Sequence, residues 1–122
     1  MWTYIQKNGR LLSSKRRLVG IGYSGHDQGK NNPALQSVPG EGPIPCGTYS
    51  IGAPFECPSH GPYCLRLEAD SSNTMFGRSG FLIHGDSIVH PGMASLGCII
   101  QLHAVRQLIW DSGDHRLQVV SG

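Results

Sequence analysis

His84 closes the apolar run Phe81-Leu82-Ile83, and fourteen positions later Cys98 follows Ser95-Leu96-Gly97. A cysteine and a histidine brought together make a nucleophile and its base. A free thiol has a pKa of about 8.5, so little of it is thiolate at neutral pH, and an adjacent imidazole can take its proton. Gly97 lets the backbone pack closely, and N–H groups around Cys98 could form an oxyanion hole for a tetrahedral intermediate. Ser95 is suited to hold the turn by a side-chain-to-backbone bond. The second ring nitrogen of His84 needs an acceptor, and the Gly85 carbonyl and Asp86 are the local choices. The blander alternative is a buried core thiol and a strand-end histidine with no chemistry. A third use is a metal site. His84, Asp86, His90 and Cys98 carry the ligand mix of zinc peptidases. His26, His60, His103 and His115 join no constellation and are expected to face solvent.

Those two residues need short strands and tight turns to position them. Trp2 to Ile5 alternates like a strand, Asn8-Gly9 is a strong hairpin turn, and Arg10 to Ser13 returns beside it. Leu18 to Tyr23, Thr48 to Ile51 and Tyr63 to Leu67 are further strand candidates. Residues 24–45 are rich in Gly, Asn, Pro, Ser and Gln and predict a long ordered loop. Residues 70–79 are polar and read as another loop. Gly80 to His84 predicts a buried strand. After the cysteine, Leu102, Val105, Leu108 and Ile109 share a helical face, and Gly113 stands where that helix would stop. In a last strand Leu117 and Val119 point one way, and Arg116 and Gln118 the other.

A chain of 122 residues holds one domain with one core. The 17 glycines and 8 prolines favour turns and short strands over long helices. A formal net charge of +2 is too small to argue for nucleic acid, and Lys15-Arg16-Arg17 reads as a solvated turn. No apolar stretch approaches the roughly 18 residues of a membrane span. The first residues lack the pattern of a classical signal peptide. Export by another route, or earlier removal of a signal, is therefore expected if the domain acts outside the cytoplasm. Of the four cysteines, none forms a CxxC pair, which weakens a zinc-ribbon reading. Cys57 and Cys64 flank a turn-rich segment and form either a disulfide or two separate thiols. Cys46 has no obvious partner. A catalytic Cys98 must stay reduced, and its activated thiol is expected to alkylate faster than the other three.

His84-Gly85 followed by Ser95-Leu96-Gly97-Cys98-Ile99 resembles the signature of the L,D-transpeptidase catalytic domain of the YkuD type. That signature reads His-Gly, a variable stretch, then Ser/Thr-His-Gly-Cys and an apolar residue. Gly42-Pro43-Ile44-Pro45-Cys46-Gly47-Thr48-Tyr49-Ser50-Ile51 resembles the Thr-Pro-x-Gly-x-Tyr/Phe-x-Ile start of a strand in the same domain. Adding Gly22-Tyr23-Ser24-Gly25 and Asn31-Asn32-Pro33, nearly the whole chain is similar to the L,D-transpeptidase effectors of type VI secretion systems. Two positions depart from the general signature: Leu96 replaces its second histidine, and Ile100 replaces a polar Arg or Asn.

The resemblance implies a mostly β fold, a YkuD-like β-sandwich with one short helix after the cysteine, spanning residues 1–122 as a single catalytic domain. It implies an antibacterial toxin delivered by type VI secretion machinery to the periplasm of a neighbouring bacterium. Cys98 would attack the diaminopimelate carbonyl of a peptidoglycan tetrapeptide stem, with His84 as base and D-Ala as leaving group. Water, a D-amino acid or a diaminopimelate amine would resolve the thioester, and Leu96 and Ile100 bear on which. Gly85, Ser95 and Gly97 would support the pair, and Tyr23, Ser24, Asn32 and Asp86 would shape the donor site. No cofactor is implied, nor a nucleic acid or membrane partner; a cognate immunity protein is. A non-catalytic peptidoglycan-binding module is the alternative.

Overall fold

In the computed structural model, which describes residues 1–122, alternating apolar positions pair as short strands. These are β1 (Trp2–Ile5), β2 (Arg10–Leu12), β3 (Leu18–Ile21), β4 (Tyr23–Ser24), β5 (Gly47–Ile51), β6 (Phe55–Cys57), β7 (Gly61–Ala69), β8 (Phe81–His84), β9 (Ile99–Ile100) and β10 (Arg116–Val120). One α-helix, α1 (His103–Asp111), follows the cysteine. The protein is mostly β with one short helix. Its strands form one sheet in the order β3-β2-β1-β10-β5-β7-β8-β9-β4, with β6 beside β7. The first and last strands of that order are joined in sequence only through Gly22, so the sheet curls nearly into a barrel.

Gly22 is why the run from Leu18 to Tyr23 is two strands and not one. Its N–H donates to the Gly9 carbonyl at 2.8 Å, and a side chain there would overlap the Ile100 carbonyl. One residue on, the chain is already committed to the opposite edge of the sheet, where Tyr23 and Ser24 pair antiparallel with Ile100 and Ile99. Residues 24–45 contain two single 3-10 turns, Asp27–Gly29 and Pro33–Leu35, and are tied down along their length. Strand β7 is longer than its apolar stretch suggests because it also pairs with β6 across a bulged hairpin.

The core lies inside the curl. Trp2, Tyr4, Leu117 and Val119 from the parallel pair β1 and β10 meet Tyr49, Leu65, Phe81, Ile83 and Ile99. Leu117 and Val119 point inward while Arg116 and Gln118 face solvent, as their alternation requires. Each aliphatic side chain so buried is worth roughly 1.5–3 kcal/mol. Helix α1 closes the core with Val105 and Ile109, and Gly113 stands just past its end at φ +77°. Its buried face differs from the expected one. Leu102 and Leu108 are largely exposed, and Arg106 is buried in their place. Leu102 sits at the N-cap, and Leu108 falls on the side that no strand covers.

Candidate active site

Strand register sets the site. Strands β8 and β9 are parallel, with Ile83 opposite Ile99 and His84 opposite Ile100. Side chains alternate faces along a strand. Ile83 and Ile99 therefore enter the core together, while Leu82, His84 and Ile100 share the other face with Cys98, which leads into β9. Continuing the antiparallel register of β7 with β8 by one residue sets Cys64 beside His84.

His84 is only 1% exposed. Its Nδ1 lies 2.8 Å from the Gly85 carbonyl. A carbonyl only accepts, so Nδ1 carries the proton and Nε2 is left as the acceptor nitrogen. Asp86, the other candidate for that role, turns elsewhere. Burial drives the His84 pKa down to about 4, with His60 and the Arg106 cation reinforcing it against the pull of Gly85 and Asp86. The imidazole is neutral at physiological pH and ready to take a proton.

Two neighbours bear on His84, one through its ring and one through Gly85, and neither stood out in the sequence. The His60 ring, carried on the β6–β7 hairpin, stacks on His84 at 3.9 Å between centroids and 14° between planes. Arg106 reaches back from α1 to the Gln101 carbonyl at 2.9 Å and the Pro62 carbonyl at 3.5 Å. Its guanidinium also lies against Gly85, where a methyl group would come within 2.6 Å of Nη1. A residue with a side chain at 85 would displace that cation.

Cys98 is partly buried, and the Leu82 N–H donates to its Sγ at 3.3 Å. No hydrogen bond joins the thiol to His84. Such bonds are often loose without substrate and tighten in the Michaelis complex. Burial raises the Cys98 pKa above the ordinary thiol value, outweighing the Leu82 N–H and the Arg78 cation. Cys57 moves the other way, lowered by the Ser59 hydroxyl beside it. Against the expectation of an activated Cys98, it is Cys57 whose surroundings favour the thiolate in the free protein. All four cysteines are free thiols, so the Cys57–Cys64 disulfide is not formed.

Ser95 is the hub of the turn that leads to Cys98. Its Oγ donates to the Cys98 carbonyl at 2.5 Å and accepts from Gly25 N–H at 2.9 Å and Gly97 N–H at 3.1 Å. Gly97 holds φ +140°, and Arg78 and Phe81 fill the space a side chain there would need. With the Gly97 N–H spent on Ser95, the N–H left free at this turn is that of Cys98, which bonds to no backbone carbonyl.

Arg78 is the cation that the polar 70–79 loop hid. It is 8% exposed. Nη1 donates to the Gln36 and Pro43 carbonyls at 2.6 and 2.8 Å, and Nη2 to the Gly42 and Leu96 carbonyls at 3.0 and 3.2 Å. It rivets the 36–43 segment to the turn before Cys98 and lends that thiol positive charge.

Of the residues expected to shape a donor site, three act as anchors. Ser24 is fully buried, with its Oγ between the Gly97 carbonyl at 2.8 Å and the Ile44 N–H at 2.9 Å. Asn32 caps its own turn through the Ala34 N–H and the Gln28 carbonyl. It borders a hollow with Lys7, Ser121 and Gly122 rather than with His84. The Tyr23 hydroxyl donates to Asp86 at 2.5 Å and accepts from Ala94 N–H at 2.9 Å. Burial and the Asp86 carboxylate push its pKa up to about 12. Asp86 also accepts from the Ser87 and Gly92 N–H groups at 2.8 and 3.0 Å. Burial alone would raise this carboxyl, but those donors and Lys30 hold it below its ordinary value.

The knot at Asp86 pins a loop, 86–94, over the largest hollow of the protein, about 570 Å³. His60, Gly85, Asp86, His90 and Met93 contribute to its wall, a volume suited to a peptide-sized ligand. His84 does not line it, but its chain neighbour Gly85 and its stacking partner His60 do. The metal reading finds no support in the donor set. Asp86 is engaged by Tyr23 and backbone N–H groups, and no three His, Cys, Asp or Glu side chains converge.

A protein-family model described as the Tlde1 domain matches residues 20–121. No curated protein matches the chain, and no solved structure does.

Proposed function

The chain belongs to the Tlde1 domain family, a group of type VI secretion effector domains of L,D-transpeptidase type directed at peptidoglycan, and on that premise we propose that it is a cysteine L,D-acyltransferase. Its donor is the tetrapeptide stem, and it cleaves the bond between diaminopimelate and D-Ala. The observation that carries this reading is the parallel register of β8 and β9, which sets Cys98 and His84 on one face of neighbouring strands.

The chemistry starts from a neutral pair, because burial raises the thiol and lowers the imidazole. A standing thiolate–imidazolium pair is thus disfavoured, and proton transfer accompanies attack. Sγ bonds to the carbonyl carbon at the L-centre of diaminopimelate as its proton passes to His84 Nε2. The Cys98 N–H stabilises the oxyanion. The tetrahedral intermediate collapses, the C–N bond breaks, and His84 returns the proton to the departing D-Ala amine. A thioester remains on Cys98. Water, a D-amino acid or a diaminopimelate amine then attacks it, with His84 again as base. The products are a tripeptide, an exchanged stem or a 3–3 crosslink. Leu96, exposed where the general signature has histidine, removes one polar group from the acceptor side and favours the small acceptors.

Export by the type VI system to the periplasm of a target cell, and a cognate immunity protein in the producer, follow from the same reading. Its test is mass spectrometry of disaccharide-tetrapeptide incubated with the protein and with Cys98→Ala. Release of D-Ala, or its exchange for added D-Met, by the intact thiol alone is the expected result. Equal behaviour of the two proteins would overturn it.

A further inference from the structure

Arg78 is a buried cation with no anion. Its four terminal N–H groups go to carbonyls, and no carboxylate forms an ion pair with it. Taking a charge from water is costly unless it is compensated, and carbonyl dipoles compensate only part of a full charge. Its Nε–H is left without a protein acceptor and is not among the buried unpartnered atoms, so it reaches solvent. Arg78 also lines a smaller hollow of about 250 Å³ with Ser79, Gly40, Phe81 and Leu96. That hollow takes in Leu96, on the turn that leads to Cys98. Nη2 bonds the Leu96 carbonyl and presses on Gly97, and Cys98 is the next residue.

We infer that Arg78 and its hollow form a carboxylate subsite, which takes the free α-carboxylate of the D-residue that leaves from, or enters at, the thioester. This rests on the acyl-transfer reading above. In a stem ending in D-Ala the carboxylate carbon lies one residue beyond the scissile carbonyl, about 3.8 Å along the chain. Arg78 Nη2 holds the Leu96 carbonyl, two residues before Cys98, and its charge bears on the Cys98 thiol. The Nε–H supplies a charge-assisted bond, the Ser79 hydroxyl a second donor, and Leu96 and Phe81 an apolar wall for a small side chain. The subsite makes the enzyme an exo-acting one, which requires a stem end and cannot use an amidated or extended one equally well. The same contact selects free D-amino acids as exchange acceptors.

The test compares disaccharide-tetrapeptides ending in D-Ala or in D-alaninamide, with the unaltered protein and with Arg78→Gln and Ser79→Ala. For the unaltered protein, kcat/KM is expected to fall about 10-fold or more on amidation, the worth of one charge-assisted bond, mostly through KM. In Arg78→Gln, checked for folding by circular dichroism, the acid-to-amide ratio within that variant is expected to shrink to about 2-fold, whatever its overall rate. Should that variant fail to fold, the substrate pair on the unaltered protein and the Ser79→Ala preference still decide. Equal rates on acid and amide would overturn the subsite alone. Turnover of neither would overturn the acyl-transfer reading and the subsite with it.

Discussion

Acid should weaken this fold through His84, and the site itself sets the amount. The ring is 1% exposed, and burial brings its pKa from 6.5 to about 4. Above pH 6.5 neither the folded nor the unfolded chain holds the proton. Between 6.5 and about 4 only the unfolded chain does, so falling pH favours unfolding across that window. Below it both are protonated and the dependence ends. At about 1.4 kcal/mol per unit, the window is worth about 3 kcal/mol, against a total of roughly 5–15 kcal/mol for a domain. His84→Asn is the reference, because its amide can still donate to the Gly85 carbonyl but does not titrate. Urea unfolding of both proteins from pH 7 to pH 4 should show the unaltered protein losing about 3 kcal/mol relative to the variant. Parallel stability curves would refute a buried, neutral His84. The same shift governs catalysis. The base must be unprotonated, so the acid limb of kcat/KM is expected near pH 4 rather than near 6.5.

Alkylation of the free protein, followed by peptide mapping, should label Cys57 first and Cys98 more slowly, since Ser59 lowers one thiol and burial raises the other. Gly97→Ala should cost about 2 kcal/mol or more in urea unfolding, and abolish turnover. Its methyl would meet Arg78 Nη2 at 2.6 Å and Phe81 at 2.8 Å, at a φ of +140°. Tyr23→Phe removes the hydroxyl that joins Asp86 to Ala94. It should destabilise by about 1–2 kcal/mol and raise KM more than it lowers kcat, as the 86–94 loop loosens; an unchanged KM would separate that loop from substrate.

Local signals carried much of the fold. Asn8-Gly9 marks its hairpin, Gly113 ends its helix, and the alternation from Arg116 to Val120 sorts inside from outside. His84 and Cys98 drew attention by type and spacing, and Gly85 by its position after the base. What the sequence hid depends on partners far along the chain. Gly22 looks like any strand glycine until the Ile100 carbonyl lies against it. Arg106 breaks the helix's apolar pattern because it serves Gly85, Gln101 and Pro62, none of them on its own element. His60 sits in a Pro/Gly-rich turn with nothing nearby to pair with, and only the pairing of β6 with β7 folds it onto His84. Arg78 lies in a polar stretch that reads as solvated, yet four carbonyls from two other segments enclose it. The loop residues Ser24 and Asn32 had the polarity of a binding site. Their hydrogen bonds run instead to Ile44, Gly97 and their own turn.

The most direct measurement is intact-protein mass spectrometry of the chain quenched in acid during turnover of disaccharide-tetrapeptide, followed by mapping of the modified peptide. A thioester through Cys98 predicts an adduct equal to the stem less D-Ala. It should sit on the peptide that contains Cys98, clear on addition of D-Met, and accumulate in no sample of Cys98→Ala. D-Ala release that persists in Cys98→Ala, or an adduct carried by Cys46, Cys57 or Cys64, would contradict it.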